Sequence, residues 1–211
     1  FLFLSIGIAG YLFAVAAQYP LPMTGLVAHW DMSDISGDTL LDHSCHGNHG
    51  RIYNAIPRDE ALGFDRNQDS VVIKDNPSLA LTGSFSISAY VTIAEYPPQD
   101  QGHAFILFRG DERPGRDPYF LAIEPDGKAR FHIESPYTTT WNFDDIYSGP
   151  LPKDSLLHIA ATFDSTPGHM KLYVQGEPAA EMTTNERPFA DLDLTKNGAV
   201  TIGNHPSNDN P

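Results

Sequence analysis

Ser84-Phe85-Ser86-Ile87-Ser88-Ala89-Tyr90-Val91-Thr92-Ile93 alternates polar and apolar side chains without a break. Successive side chains of an extended strand point to opposite faces, so this run gives one face to a core and the other to solvent or a neighbouring layer. The same period continues outward from it. Leu157, Ile159, Ala161 and Phe163 alternate with His158, Ala160, Thr162 and Asp164, and Met170, Leu172 and Val174 alternate with Lys171, Tyr173 and Gln175. Shorter candidate strands are Leu26–Trp30, Val71–Ile73, Ala104–Phe108, Tyr119–Ile123, Ala129–Glu134 and Ala199–Ile202. Pro125-Asp126-Gly127-Lys128, Thr166-Pro167-Gly168 and Gln175-Gly176-Glu177-Pro178 separate these runs with turn chemistry. No stretch past Gln18 keeps an apolar helical spacing for three turns. The fold class expected is all-β, an antiparallel sandwich or barrel.

The amino end has another character. Phe1 to Ala17 carries no charge, and Ser5 is its one polar side chain. As a helix it would span about 25 Å at ~1.5 Å per residue, just short of a ~30 Å hydrocarbon core. Ala14-Val15-Ala16 is a small-residue pattern of the type a signal peptidase accepts. Residues 1–17 are thus expected to form an apolar helix, either a cleaved signal peptide or an uncleaved single-pass anchor. Tyr19-Pro20-Leu21-Pro22 makes residues 18–23 an extended linker, since each proline fixes its own φ and restricts its predecessor. The sandwich domain then occupies residues 24–211.

Thirteen basic residues against twenty-seven acidic ones leave a net charge of −14. Nucleic acid and anionic membrane surfaces are bound by basic patches, so neither is an expected partner; a membrane enters only through an uncleaved amino segment. Cys45 is the one cysteine, so no disulfide forms within the chain. An exported chain without disulfides fits a bacterial envelope or secreted protein. The expected location is secreted, periplasmic or at the cell envelope, with a single-pass anchor if the segment stays attached.

In combination, several stretches resemble the concanavalin A-like lectin/glucanase superfamily, in particular its laminin-G-like, pentraxin-type domains of the bacterial exported kind. They are Gly25-Leu26-Val27-Ala28-His29-Trp30, the loop Asp42-His43-Ser44-Cys45-His46-Gly47-Asn48-His49-Gly50, and Leu79 through Val91. His158 through Asp164, Met170 through Gly176, and Ile202-Gly203-Asn204 complete the set. The chain departs from the pattern in having Tyr90, Leu156 and Gln175 where Trp, Trp and Asp or Asn are usual. The resemblance implies an antiparallel β-sandwich of the jelly-roll kind; the closing strand of the family would fall beyond Pro211, so it also implies a domain cut before its last strand.

Two places invite a ligand. The resemblance raises the prospect of a loop-end Ca²⁺, and the acidic series Asp31, Asp34, Asp38, Asp42 supplies the oxygen chemistry that Ca²⁺ requires, making Asp42 and Asn48 the first metal ligands to test. His43, Cys45, His46 and His49 fall in the same Gly-rich loop and are read as loop residues before a zinc site. In Tyr137-Thr138-Thr139-Thr140-Trp141-Asn142-Phe143-Asp144-Asp145, aromatic faces stand beside amide and carboxylate groups, the pairing that stacks on sugar C–H surfaces and accepts their hydroxyls. Tyr137, Trp141, Asn142, Asp144 and Asp145 are the candidate ligand-binding residues; the other reading has Trp141 and Phe143 packed under a sheet edge. No run places two carboxylates on one strand face as a glycosidase cleft requires, since Glu124-Pro125-Asp126 falls on a turn. No Gly-x-Ser-x-Gly elbow is present either. The expected function is a non-catalytic extracellular or envelope recognition domain for a glycan, with Ca²⁺ as its candidate cofactor. Two alternatives stay open: a protein–protein interaction domain of a larger membrane-anchored envelope protein, and an accessory domain of an enzyme whose catalytic part lies outside this segment.

Overall fold

A computed structural model describes residues 2–5, 24–58, 60–65, 68–100 and 102–204, the first four as backbone. The first third of the chain supplies β1 (Leu2–Ser5), β2 (Ala28–Ser36), β3 (Thr39–Asp42) and β4 (Gly50–Tyr53). It continues with β5 (Ile56–Arg58), β6 (Ala61–Gly63) and β7 (Ser70–Lys74). The middle forms β8 (Phe85–Thr92), β9 (Ala104–Gly110), β10 (Tyr119–Ile123), β11 (Lys128–Glu134) and β12 (Phe143–Pro150). The last third adds β13 (Leu156–Asp164), β14 (His169–Val174), β15 (Glu177–Thr183) and β16 (Ala199–Gly203). Among the described residues the helical elements are two single turns, Pro77–Leu79 and Leu194–Lys196, and no helix is long and apolar enough to cross a membrane.

Fourteen strands pair in one ladder, β12-β11-β10-β9-β16-β7-β4-β3-β2-β1-β8-β13-β14-β15, and β5 with β6 forms a separate hairpin. The ladder curls over so that β12 packs against β14 and β15, giving the two layers of a sandwich. Its pairings are antiparallel except where β1 takes part. One core fills the interior. Phe85, Ile87, Ala89 and Val91 of β8 point into it, as the alternation required, and meet Tyr119, Leu121, Phe131, Ile159 and Phe163 from the other strands. Phe85 holds Tyr119 at 5.0 Å and Phe163 at 5.8 Å between ring centroids. The Tyr119 hydroxyl donates to the Leu79 carbonyl oxygen at 2.7 Å, which satisfies the polar end of a fully buried ring. Trp30 is buried in the same core, with its indole N–H donating to the Asn48 carbonyl oxygen at 2.7 Å.

The turns work as their residues dictate. Val174 pairs with Glu177, so Gln175 and Gly176 form a two-residue hairpin loop with φ of 55° and 81°, the twist that fits right-handed strands. Gln175 holds this position with its side chain, which accepts from His158 N–H at 2.8 Å. At the Glu124–Lys128 turn, Asp126 accepts from the Lys128 backbone N–H.

The amino end departs from the expected apolar helix. Leu2–Ser5 is a strand that pairs in parallel with β2 on one side and β8 on the other, Leu2 standing beside Ala28 and Ile87. A seam left open there would strand two rows of backbone N–H and C=O groups, and a strand in the gap satisfies both at once. Residues 6–23, which hold the rest of the expected apolar segment and the linker, lie outside the described residues. Strands β3, β4, β5, β6, β12 and β15 were not expected from the periodicity. β15 shows why: its Glu-Pro-Ala-Ala-Glu-Met-Thr sequence is largely exposed at the end of the ladder, where an edge strand needs little apolar alternation and tolerates Pro178.

Candidate functional site

Strands β9 to β12 carry a second row of side chains on the face turned away from the core. Cross-strand register aligns Phe108, Phe120, His132 and Asp145 in one line, and Phe105, Ala122, Arg130 and Tyr147 in the next. Every residue of β10 is buried: Tyr119, Leu121 and Ile123 in the core, Phe120 and Ala122 in a smaller apolar cluster with Phe105 and Phe108. On this floor the His132 imidazole stacks on Phe120, 4.3 Å between centroids and 8° between planes, and the Arg130 guanidinium lies 4.9 Å above the same ring. Phe143 borders His132 at 5.3 Å.

Charge is held on this apolar floor by pairing. Arg130 meets Asp145 with two hydrogen bonds, Nε to Oδ1 at 2.7 Å and Nη2 to Oδ2 at 2.8 Å. His132 Nδ1 donates to Asp145 Oδ1 at 2.8 Å. Arg130 Nη1 reaches Glu124 at 3.4 Å and His103 at 3.3 Å, and His103 lies 3.0 Å from Glu124. Burial pushes the Asp145 carboxyl up, but the hydrogen bonds and charges of His132 and Arg130 outweigh it and hold it below its ordinary value. Burial likewise pulls His132 down, and its bond to Asp145, with Glu134 nearby, reverses this and holds the imidazole above its ordinary value.

Two buried polar atoms at the end of this row lack a hydrogen-bond partner among the described residues: His132 Nε2 and Glu134 Oε1. The closest approach between the two side chains, Nε2 to Oε2, is 3.9 Å, too long for a hydrogen bond. Glu134 Oε2 accepts the Asp117 backbone N–H at 3.0 Å. Burial first, and then the Glu134 carboxylate, push the Asp117 side chain up to about 7.

Above this row lies an open cleft of about 280 Å³, lined by Phe120, Arg130, His132, Glu134, Trp141 and Phe143 among others. Trp141 is 57% exposed and Phe143 44% exposed, so neither ring is packed under the sheet edge. A second depression of about 440 Å³ shares His103 with the first and reaches Gln99, Glu124 and Tyr147.

The expected binding residues divide accordingly. Trp141 and Tyr137 come together, 5.4 Å between ring centroids, with Trp141 on the cleft wall. Asn142 faces back into its own segment, its carbonyl accepting from Ser135 N–H and its Oδ1 from Thr140. Asp144 accepts from the Thr184 hydroxyl, and Asp145 is committed to Arg130 and His132. The segment expected to be loop throughout enters β12 at Phe143. Phe120, Arg130, His132, Glu134 and Asp117 were not singled out from the sequence. The available signal was Arg130, His132 and Glu134 alternating with Ala129, Phe131 and Ile133 on β11.

Asp42 and Asn48, the expected metal ligands, form a loop clamp. Asp42 Oδ1 accepts the N–H groups of His29 and Ser44, and Oδ2 accepts from the Ser44 hydroxyl and the Asn48 N–H. Burial pushes Asp42 up, but these donors prevail and hold it below its ordinary value. The Asn48 amide nitrogen donates to the Val27 carbonyl and to Ser78, tying the loop to β2 and the Pro77 turn. His43 pairs with Asp34 at 2.9 Å, and Arg51 with Asp38 at 3.2 Å. Among the described residues no group of three or more His, Cys, Asp or Glu side chains is placed to hold a metal ion.

A family model of the concanavalin A-like lectin/glucanases superfamily matches residues 65–211. Among solved structures, the chain is similar to Trypanosoma rangeli sialidase in complex with sialic acid, at 18% identity and a TM-score of 0.59 over 86% of this chain and 28% of that one. A mutant of the same sialidase displaying trans-sialidase activity matches at 19% identity and a TM-score of 0.60, over 90% of this chain and 29% of the other. The chain therefore spans under a third of these sialidases' length. The CBM40 of Ruminococcus gnavus IT-sialidase bound to α2,3 sialyllactose matches at 19% identity and a TM-score of 0.42, over 59% of this chain and 64% of that one. A search of curated proteins finds no match.

Proposed function

The chain belongs to the concanavalin A-like lectin/glucanases superfamily, and we propose that it is a non-catalytic domain that binds carbohydrate in the cleft above β10 and β11. The observation that carries this reading is an open cleft whose wall holds exposed aromatic faces, Trp141 and Phe143, above a floor of paired polar groups. A sugar presents the complementary chemistry: C–H faces for the rings and hydroxyls for the floor. The sequence has no strand run that places two carboxylates on one face, and this supports the non-catalytic reading. Both Asp42 oxygens are engaged by donors of the loop, while Asn48 Oδ1 is buried without a hydrogen-bond partner among the described residues, and this acceptor supports keeping Ca²⁺ as a candidate cofactor for the EDTA comparison below. The uncharged Phe1–Ala17 segment supports an exported location.

Glycan binding is tested by titration calorimetry of array hits, with and without EDTA, on the protein and on Trp141→Ala. Removing one stacking ring is expected to weaken binding about tenfold, equal to ~1.4 kcal/mol, with the melting temperature unchanged because Trp141 is solvent-exposed. A chain that binds no glycan, or a Trp141→Ala variant of full affinity, would contradict the assignment. Turnover of aryl glycosides by the purified domain would contradict its non-catalytic part. A second reading, an accessory domain within a longer enzyme, is favoured by the place of this fold in sialidases that extend to more than three times its length.

A further inference from the structure

The floor of the cleft carries more information than its aromatic wall. His132 and Glu134 are 4% and 1% exposed, yet His132 Nε2 and Glu134 Oε1 have no hydrogen-bond partner among the described residues. Buried polar groups are nearly always satisfied, so two adjacent orphans lining one cleft indicate where a ligand or ordered water belongs. We infer that these two atoms form a hydroxyl-binding site, and that the cleft accepts neutral saccharides and disfavours those bearing a carboxylate. This inference rests on the proposed carbohydrate-binding function and specifies its ligand class.

The polarity of the two atoms sets the chemistry. Asp145 can only accept from Nδ1, so that nitrogen carries a proton, and His132 in its charged form offers Nε2–H as a donor. Glu134 Oε1 is an acceptor. A hydroxyl does both things at once, accepting from Nε2–H and donating to Oε1, and two neighbouring ring hydroxyls could divide the roles. A ligand carboxylate could accept from Nε2–H but would meet a like charge at Glu134. The guanidinium that would receive an acid is engaged: Arg130 Nε and Nη2 donate to Asp145, and Nη1 is turned to Glu124 and His103. Three carboxylates, those of Glu124, Glu134 and Asp145, surround the floor against Arg130 and His132, and the Asp117 carboxyl holds its proton up to about 7. The cleft differs in this from a site that grips an anion with a free guanidinium fork.

The test uses the full chain on an array of matched pairs, lactose with α2,3-sialyllactose and neutral with uronic-acid-containing oligosaccharides, followed by calorimetry. Neutral members are expected to bind at least tenfold more tightly than their acidic partners. Glu134→Gln keeps the size of the side chain and an oxygen for Asp117 N–H, and is expected to weaken the neutral ligand about tenfold while narrowing the gap to its acidic partner. Tighter binding of the acidic members would overturn the inference and leave the carbohydrate-binding function standing, as would unchanged neutral affinity in Glu134→Gln. Failure to bind any member would overturn both. Should Glu134→Gln melt at a much lower temperature than the parent chain, the neutral-to-acidic ratio of the parent decides alone.

Discussion

At the scale of single residues, the cleft depends on a position with no side chain. Gly115 has a φ of +66°, a region that costs other residues of order 1 kcal/mol. A Cβ built there would also come within 2.5 Å of Tyr137 Cβ and 3.2 Å of Glu134 Oε1. The glycine thus lets the aromatic segment and the polar floor approach each other. Gly115→Ala is expected to lose about 2 kcal/mol in urea unfolding and to weaken glycan binding by moving Tyr137, and with it Trp141; full stability and affinity would refute this role. Two residues on, Asp117 gives the fold a pH dependence. Its carboxyl ionises near 3.8 ordinarily and near 7 in place, because burial and Glu134 oppose the charge, seconded by Asp111, more than His132 and Arg130 favour it. Between those values the folded state holds a proton that the unfolded chain has released. Its contribution to stability is therefore complete below about pH 4 and falls as pH rises towards 7, by at most ~1.4 kcal/mol per pH unit. His132, held above its ordinary value, adds to the decline at higher pH. Asp117→Asn cannot ionise, so its melting temperature should fall less than the parent's from pH 5 to pH 7.5. Parallel curves for the two proteins would show that Asp117 is not the source.

At the scale of elements, the site is a property of strand pairing. β11 offers Ala129, Phe131 and Ile133 to the core and Arg130, His132 and Glu134 to the cleft, and β12 sets Asp145 opposite His132. Removing Asp145 would leave Arg130 and His132 largely buried on Phe120 without their principal partner. Breaking a buried pair from one side costs about 3 kcal/mol or more, so Asp145→Ala should shift the urea midpoint accordingly, and a loss below ~1 kcal/mol would show the network to be dispensable. How legible such elements are in sequence depends on where their apolar residues go. β8, β13 and β14 could be read directly because each buries an alternating row in the core, and β10 because it is a short, wholly apolar run. Tyr137 and Trp141 stood out as an aromatic run among small polar residues. β12 did not announce itself, since Phe143, Asp145 and Tyr147 face the cleft and solvent, and Asp144, bonded to Thr184, shares the inner face with Ile146, the strand's main apolar core residue. Nor could His132 and Glu134 be recognised as a site from β11 alone. Their burial comes from Phe120, Phe143 and the Gly115 turn, none of which a strand's own periodicity reports.

At the scale of the whole molecule, the ladder closes through its amino-terminal strand. β1 bridges β2 and β8, so the fourteen strands form one continuous curled sheet because Leu2–Ser5 lies in the seam. This arrangement competes with the role expected of the apolar segment, because a leader removed after Ala17 cannot also complete the sheet. In a chain lacking residues 1–5, the Ala28–Asp31 and Ile87–Ala89 stretches would each expose an unpaired edge. At about 1 kcal/mol net for each hydrogen bond, losing a few of them is worth ~2–3 kcal/mol, or roughly 5–10 °C in melting temperature for a domain of this size. Hydrogen exchange should locate the loss: amides of those two stretches should lose protection, whereas the β11–β12 pairing, on a distant part of the ladder, should keep it. The cleft should also keep its glycan affinity, since it lies on the face of β9 to β12 turned away from the core that these strands share with β8. A truncated chain with the parent's melting temperature and exchange pattern would mean that Leu2–Ser5 does not hold the seam in solution. The segment would then be available for export or anchoring without cost to the fold.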